Sequence, residues 1–144
     1  MSRISITMDS QPQNISFARV AVAAFISPCD PTVDEVSDIK TAVSEAVTNA
    51  VIHGYPEDEE GNGQVIMTMH ISDKTITIEV ADMGVGIADI DTARQPLYTT
   101  KEELERSGLG FTVMESFMDS VTVESNPGCG TKVILVKTLG SAGS

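Results

Sequence analysis

The chain has 144 residues, 21 acidic and 9 basic, and a formal net charge of −12 at pH 7. That length suits one domain, which buries roughly 70% of the surface its unfolded chain exposes, and leaves no room for a separate substrate or dimerisation domain. The acidic balance and scattered basic residues argue against direct nucleic-acid binding, so a phosphate ligand would have to be held at one local site by backbone amides, a metal ion and one or two cations.

Residues 3–8 alternate apolar and polar and read as a strand; they lack the apolar core of a signal peptide. No apolar run approaches the ~20 residues that span a bilayer, so neither membrane insertion nor export is expected, and the cytoplasm is the expected compartment. In residues 11–26, Ile15, Ala18, Val22 and Phe25/Ile26 recur at helical spacing, and Pro28 and Pro31 end that helix. Thr32-Val33-Asp34-Glu35 is a capping box opening a second helix. Its apolar stripe is Val36, Ile39, Val43, Ala46, Val47 and Ala50, and Gly54 is its stop. After a polar loop over residues 57–63, two alternating runs, 64–71 and 75–81, form a hairpin through Ser72-Asp73-Lys74.

Residues 88–107 are polar and weakly periodic, bracketed by Gly84/Gly86 and Gly108/Gly110. A structureless connection of that length in a small domain reads as a lid over a ligand. Gly108 opens a short helix through Met118, and strands at 121–125 and 132–138 flank Asn126-Pro127-Gly128-Cys129-Gly130. Residues 1–138 then form one domain, with 139–144 a disordered Gly/Ser tail. The irregular mixture of strands and helices favours an α+β, two-layer fold over a doubly wound parallel sheet. Cys29 and Cys129, far apart and without CxxC spacing, read as free thiols, with a disulfide left open.

Four short motifs carry possible chemistry. Glu45 and Asn49 lie one helical turn apart, within roughly 40° of each other, at the margin of the apolar stripe. Asp82-Met83-Gly84-Val85-Gly86 ends a strand in a turn that a ligand can approach closely. Arg106-Ser107-Gly108-Leu109-Gly110 starts a helix, where free amides and the dipole favour an anion. Gly128-Cys129-Gly130-Thr131 turns between two strands. Singly, each has a structural explanation: a helix margin, a tight turn, a helix start, a hairpin.

In this order, Glu-x-x-x-Asn, Asp-x-Gly-x-Gly, Gly-x-Gly and Gly-Thr resemble the ATP-binding fold shared by gyrase, Hsp90 chaperones, histidine kinases and MutL proteins. The likeness narrows at Ser16-Phe17-Ala18-Arg19-Val20, residues 44–55, Ala93-Arg94-Gln95-Pro96-Leu97 and Leu104-Glu105-Arg106-Ser107-Gly108. These segments resemble the sporulation anti-sigma F factors, a family of small serine protein kinases.

The resemblance implies an α+β two-layer sandwich whose mixed sheet is covered by helices on one face. It implies ATP as substrate, ADP as product, and Mg²⁺ held through Asn49. Asp82 is implied to accept from the adenine amino group, with Gly84 and Gly86 beside the base and Thr131 supporting it. Thr99 joins the implied nucleotide-binding set. Gly108 and Gly110 are implied to place amides on the phosphates, and Arg106 to neutralise charge there. Glu45 is the implied general base toward a serine of an anti-anti-sigma factor, and Arg19 the implied contact for partner proteins. The family is a homodimer that binds sigma factor F, and the bound nucleotide selects the partner. Alternatives are a kinase antagonist of the stress-response sigma factor B and a non-catalytic, nucleotide-gated sequestering module. A histidine-kinase fragment would need a helical phosphoacceptor domain, whereas the only histidines here are His53 and His70.

Overall fold

Two periodicities build the molecule. In the two strands at residues 64–72 and 75–82 burial alternates, as in Val65, Met67 and Met69 or Ile76, Ile78 and Val80. In the helices burial recurs at three and four residues, as in Ile39, Ala42, Val43, Ala46 and Val47. The structure is a computed structural model and describes residues 2–53, 63–83, 111–126 and 130–140. The order is β1 (Ser2–Asp9), α1 (Gln13–Ile26), a 3₁₀ turn (Ser27–Cys29), α2 (Val33–Thr48) and a π-helical turn (Asn49–His53). Then follow β2 (Gln64–Ser72), β3 (Thr75–Asp82), α3 (Phe111–Phe117), β4 (Ser120–Asn126) and β5 (Gly130–Thr138).

The five strands lie in the order β1-β2-β3-β5-β4. One face of the sheet carries the helices, with α2 packed between α1 and α3. The other face presents Arg3, Ser5, Thr68, His70, Thr77, Glu79 and Lys132, none of them buried. Cross-strand hydroxyl pairs Ser5–Thr68 and Thr75–Thr138, each 3.1 Å, knit that open face. This is the α+β two-layer sandwich expected, with one correction: among the described residues the sheet is antiparallel in all four ladders, not mixed. Strands β3 and β4 do run the same way, but the returning strand β5 inserts between them and separates the parallel pair. Among the described residues no helix is long and apolar enough to cross a membrane.

The β2–β3 hairpin closes on two residues, Asp73 (φ 51°) and Lys74 (φ 66°), the left-handed pair that matches the twist of a two-residue hairpin. The expected capping box opens α2: the Glu35 N–H donates to Thr32 Oγ1 (3.1 Å) and the Thr32 N–H to Glu35 Oε1 (2.8 Å). Cys29 is a free thiol packed against the core, and Cys129 lies outside the described residues.

The chain end needs a second correction. Leu139 and Gly140, assigned above to the tail, belong to the fold. Leu139 is buried, its N–H donates to the Lys74 carbonyl (2.8 Å), and the Gly140 N–H donates to Glu35 Oε2 (3.0 Å). An apolar side chain with room in the core holds two residues that composition alone assigns to a Gly/Ser stretch; residues 141–144 lie outside the described residues.

Glu35 therefore ties the start of α2 to the end of the chain. The N–H groups of Thr32 and Gly140 hold its carboxyl below the ordinary value of 4.5. A depressed folded-state value adds stability above about pH 4.5 that is lost as pH falls through the folded value. A Glu35→Gln amide has one acceptor for two donors, so it is expected to cost about 1 kcal/mol at pH 7. Urea midpoints of the two proteins should converge as the pH is taken from 5 to 3; a gap that persists at pH 3 would remove the carboxylate from this role.

Candidate functional site

One end of the sandwich gathers the motif residues. Strand β1 ends there at Asp9, α1 runs away from it, and α2 returns, so the C-terminal end of α2 meets the end of β3. Glu45, partly exposed, precedes Asn49, which is only 8% exposed. The Asn49 N–H is shared between the Ala46 and Glu45 carbonyls and its backbone stays helical (φ −59°, ψ −44°). The chain therefore does not stop but widens into the π turn Asn49–His53, which packs against β3. Such insertions re-aim side chains relative to a continuing α-helix.

Asp82 closes β3 and is 6% exposed, one of three buried polar or charged side chains among the described residues. The ladder places it between Val65 of β2 and Thr131 of β5. Directly opposed residues share a face, so Asp82 and Thr131 point to the same, helix-covered side. Met83 follows, 69% exposed. Gly130 permits the closeness of this corner: at φ 91°, a Cβ added there would lie 2.1 Å from the Asp82 carbonyl oxygen and 2.8 Å from Met83 Cα. Gly130→Ala combines a left-handed backbone with a backbone clash and is expected to cost about 2–3 kcal/mol. A urea midpoint equal to the parent's would show that β5 does not need this approach.

The structure thus brings Glu45, Asn49, Asp82 and Thr131 to one end of the molecule. Arg19 stands apart, exposed on α1 beside the first half of α2. Gly84, Gly86, Thr99, Arg106, Gly108 and Gly110 lie outside the described residues, as do Gly54 and the stretch 88–107. Two features escaped the sequence reading. The π turn leaves no trace in a 3.6-residue period. Gly130, read as part of a turn, is the first residue of β5, and only its position opposite the β3 end explains a glycine there.

Residues 8–137 match the family model described as the histidine kinase-like ATPase domain. The chain is 52% identical over 138 residues to the anti-sigma F factor of Bacillus licheniformis, covering 96% of this chain and 93% of that one. It is 56% identical over 127 residues to the anti-sigma F factor of Bacillus subtilis strain 168, covering 88% and 86%. Among solved structures, the RsbU and RsbW domains of Rv1364c from Mycobacterium tuberculosis share the fold with a TM-score of 0.70 at 20% identity. That alignment covers 96% of this chain and spans a third (33%) of the other.

Proposed function

The chain belongs to the histidine kinase-like ATPase domain family and, within it, to the anti-sigma F factors, and from that membership we propose that it is a cytoplasmic anti-sigma factor and serine protein kinase. In this reading it sequesters sigma factor F and uses Mg-ATP to phosphorylate a serine of an anti-anti-sigma factor. What supports the nucleotide half is that the π turn beginning at Asn49 packs against β3, the strand that Asp82 closes opposite Thr131.

The residue types fit the ligand. Asp82 is an acceptor in a largely dry corner, where a hydrogen bond from the adenine amino group is strong and guanine, with an oxygen in that place, is rejected. Thr131 stands beside it to support the base. The Asn49 amide oxygen suits Mg²⁺, a hard ion that keeps several waters and takes phosphate oxygens for the rest. Bound there, the ion would neutralise phosphate charge in a chain of net charge −12. Gly84, Gly86, Thr99, Arg106, Gly108 and Gly110 complete the proposed nucleotide set.

Glu45 is the proposed base. It is partly exposed at the helix margin, one turn before Asn49, where a protein hydroxyl can reach it. It would accept the serine proton as that oxygen attacks the γ-phosphoryl group, whose transfer depends mainly on positioning and charge neutralisation. Arg19 is the proposed contact for the sigma and anti-anti-sigma partners. A homodimer is part of the proposal, and exposed Ile4 on the edge strand β1 with Phe17 and Val20 on α1 support a self-association surface.

The deciding experiment mixes the protein with Mg-ATP and the anti-anti-sigma factor of the same genome and maps the modified residue. Acid-stable phosphoserine on that partner is the expected product; its absence would sink the kinase reading while leaving sequestration to be measured separately.

A further inference from the structure

Strand β5 carries a lysine where its pattern calls for an apolar residue. Val133, Leu135 and Leu139 alternate into the core, and Lys137 stands among them on the same, helix-covered face. Its side chain is only 14% exposed. The ammonium donates to the Phe117 carbonyl (2.8 Å) at the end of α3 and lies 3.8 Å from Asp38 Oδ2 of α2. A cation so placed costs desolvation that leucine would not, and these two contacts, with the favourable dipole at a helix C-terminus, offset it.

Helix α3 needs such an anchor. At seven residues it is too short to persist by its own propensity, and it packs on α2. The buried side chains here are Met114 and, just past the helix, Met118, unbranched groups that fill space without fixing a register. The polar contacts at this end are specific instead. Besides the Lys137 bond, the Asp119 N–H donates to the Val136 carbonyl (2.8 Å) and Asp119 Oδ2 accepts from the Thr138 N–H (2.7 Å). Asp38 matters through its place on α2. It precedes Glu45 by seven residues and Asn49 by eleven, so the three fall within about 40° of one another on the helix. Asp38 to Glu45 is roughly 10 Å along the axis, the length that the seven residues of α3 also cover.

We propose that Lys137 is a positioning residue for phosphoryl transfer: it pins the C-terminal end of α3 at the Asp38 end of this stripe and so sets the start of α3 beside Glu45. The inference deepens the proposed function, in which Gly108 and Gly110, shortly before α3 in sequence, hold the phosphates and Glu45 takes the serine proton. Lys137 touches neither reactant; it fixes the distance between them. A displacement of about 1 Å between reacting groups can cost about 100-fold in rate, so the anchor is read in the transfer step. Adenine is held at the end of β3 in that same reading, so nucleotide affinity depends on the anchor far less.

The test compares three variants. Lys137→Met keeps length and packing without the donor, Lys137→Arg keeps charge and donor, and Asp38→Asn leaves Lys137 on Phe117 but cuts its charge link to α2. Single-turnover phosphoserine formation on the anti-anti-sigma factor of the same genome is followed at saturating Mg-ATP, per folded molecule, with ATP affinity titrated separately. Expected are a fall of about 10–100-fold for Lys137→Met, less than about threefold for Lys137→Arg and an intermediate loss for Asp38→Asn, with ATP affinity within about threefold of the parent's throughout. Asp38 is partly exposed, so its variant carries the test should Lys137→Met not fold. Parental transfer by Lys137→Met or by Asp38→Asn would overturn the proposal, as would Lys137→Arg being equally slow, or ATP affinity falling as far as transfer does. A parent that forms no phosphoserine would strike the kinase reading instead. Amide exchange without nucleotide then decides the anchor: the Met118 N–H, bonded to the Met114 carbonyl (3.0 Å), should exchange about tenfold faster or more in Lys137→Met, relative to the amides of β2 and β3. Unchanged exchange there would end it.

Discussion

Replacing Glu45 by glutamine is expected to remove phosphate transfer to a protein serine while nucleotide binding and fold persist. The side chain is partly exposed at the margin of α2, and glutamine matches its shape, so the helix loses nothing it packs on. What goes is the proposed base, and a positioned base contributes roughly 10²–10⁴-fold to a rate. Single-turnover formation of phosphoserine on the anti-anti-sigma factor should fall by that range, with ATP affinity unchanged by direct titration. A variant that phosphorylates at the parental rate would exclude Glu45 as the base. A variant that has lost ATP binding would move Glu45 into the nucleotide set instead.

The second large effect belongs to Asp82. Its carboxylate is 6% exposed, and a hydrogen bond between a charged acceptor and a ligand amine contributes about 1.5–3 kcal/mol. Asp82→Asn should therefore weaken ATP binding by roughly 10–150-fold. The change is nearly isosteric and leaves the backbone register with Val65 and Thr131 intact. The amide can also turn its NH₂ toward a guanine oxygen, so the preference for ATP over GTP should collapse as ATP affinity falls. Unchanged ATP affinity in a calorimetric titration would contradict the adenine assignment. Preserved discrimination with weaker binding would place the base-reading group elsewhere.

The residue patterns that announced this fold are local ones. Period-two burial in β2 and β3, the hairpin between them and the Thr32–Glu35 capping box depend on neighbours within a few residues, and each was found where the spacing predicts it. The sheet order was not readable in this way. Whether β5 pairs beside β4 alone or also against β3 is decided between segments roughly fifty to sixty residues apart. The same distance hides the role of Leu139, since nothing next to it in sequence says that Lys74 and Glu35 will be waiting.

For the site, the sequence by itself determined the chemistry: an acid and an amide one turn apart, an aspartate closing a strand, glycines where backbones must come close, and too few cations to hold a phosphate by charge alone. These follow from residue type and spacing, which the chain carries whether folded or not. Only the tertiary structure decided that Asn49 sits in a π turn against β3, that Asp82 and Thr131 face each other across a ladder, and that Gly130 is required by the carbonyl of Asp82. It alone also decided that Lys137, from the last strand, reaches both the end of α3 and Asp38 of α2. Each of these is a contact between segments far apart in the chain, fixed by antiparallel return and packing, which no local pattern encodes.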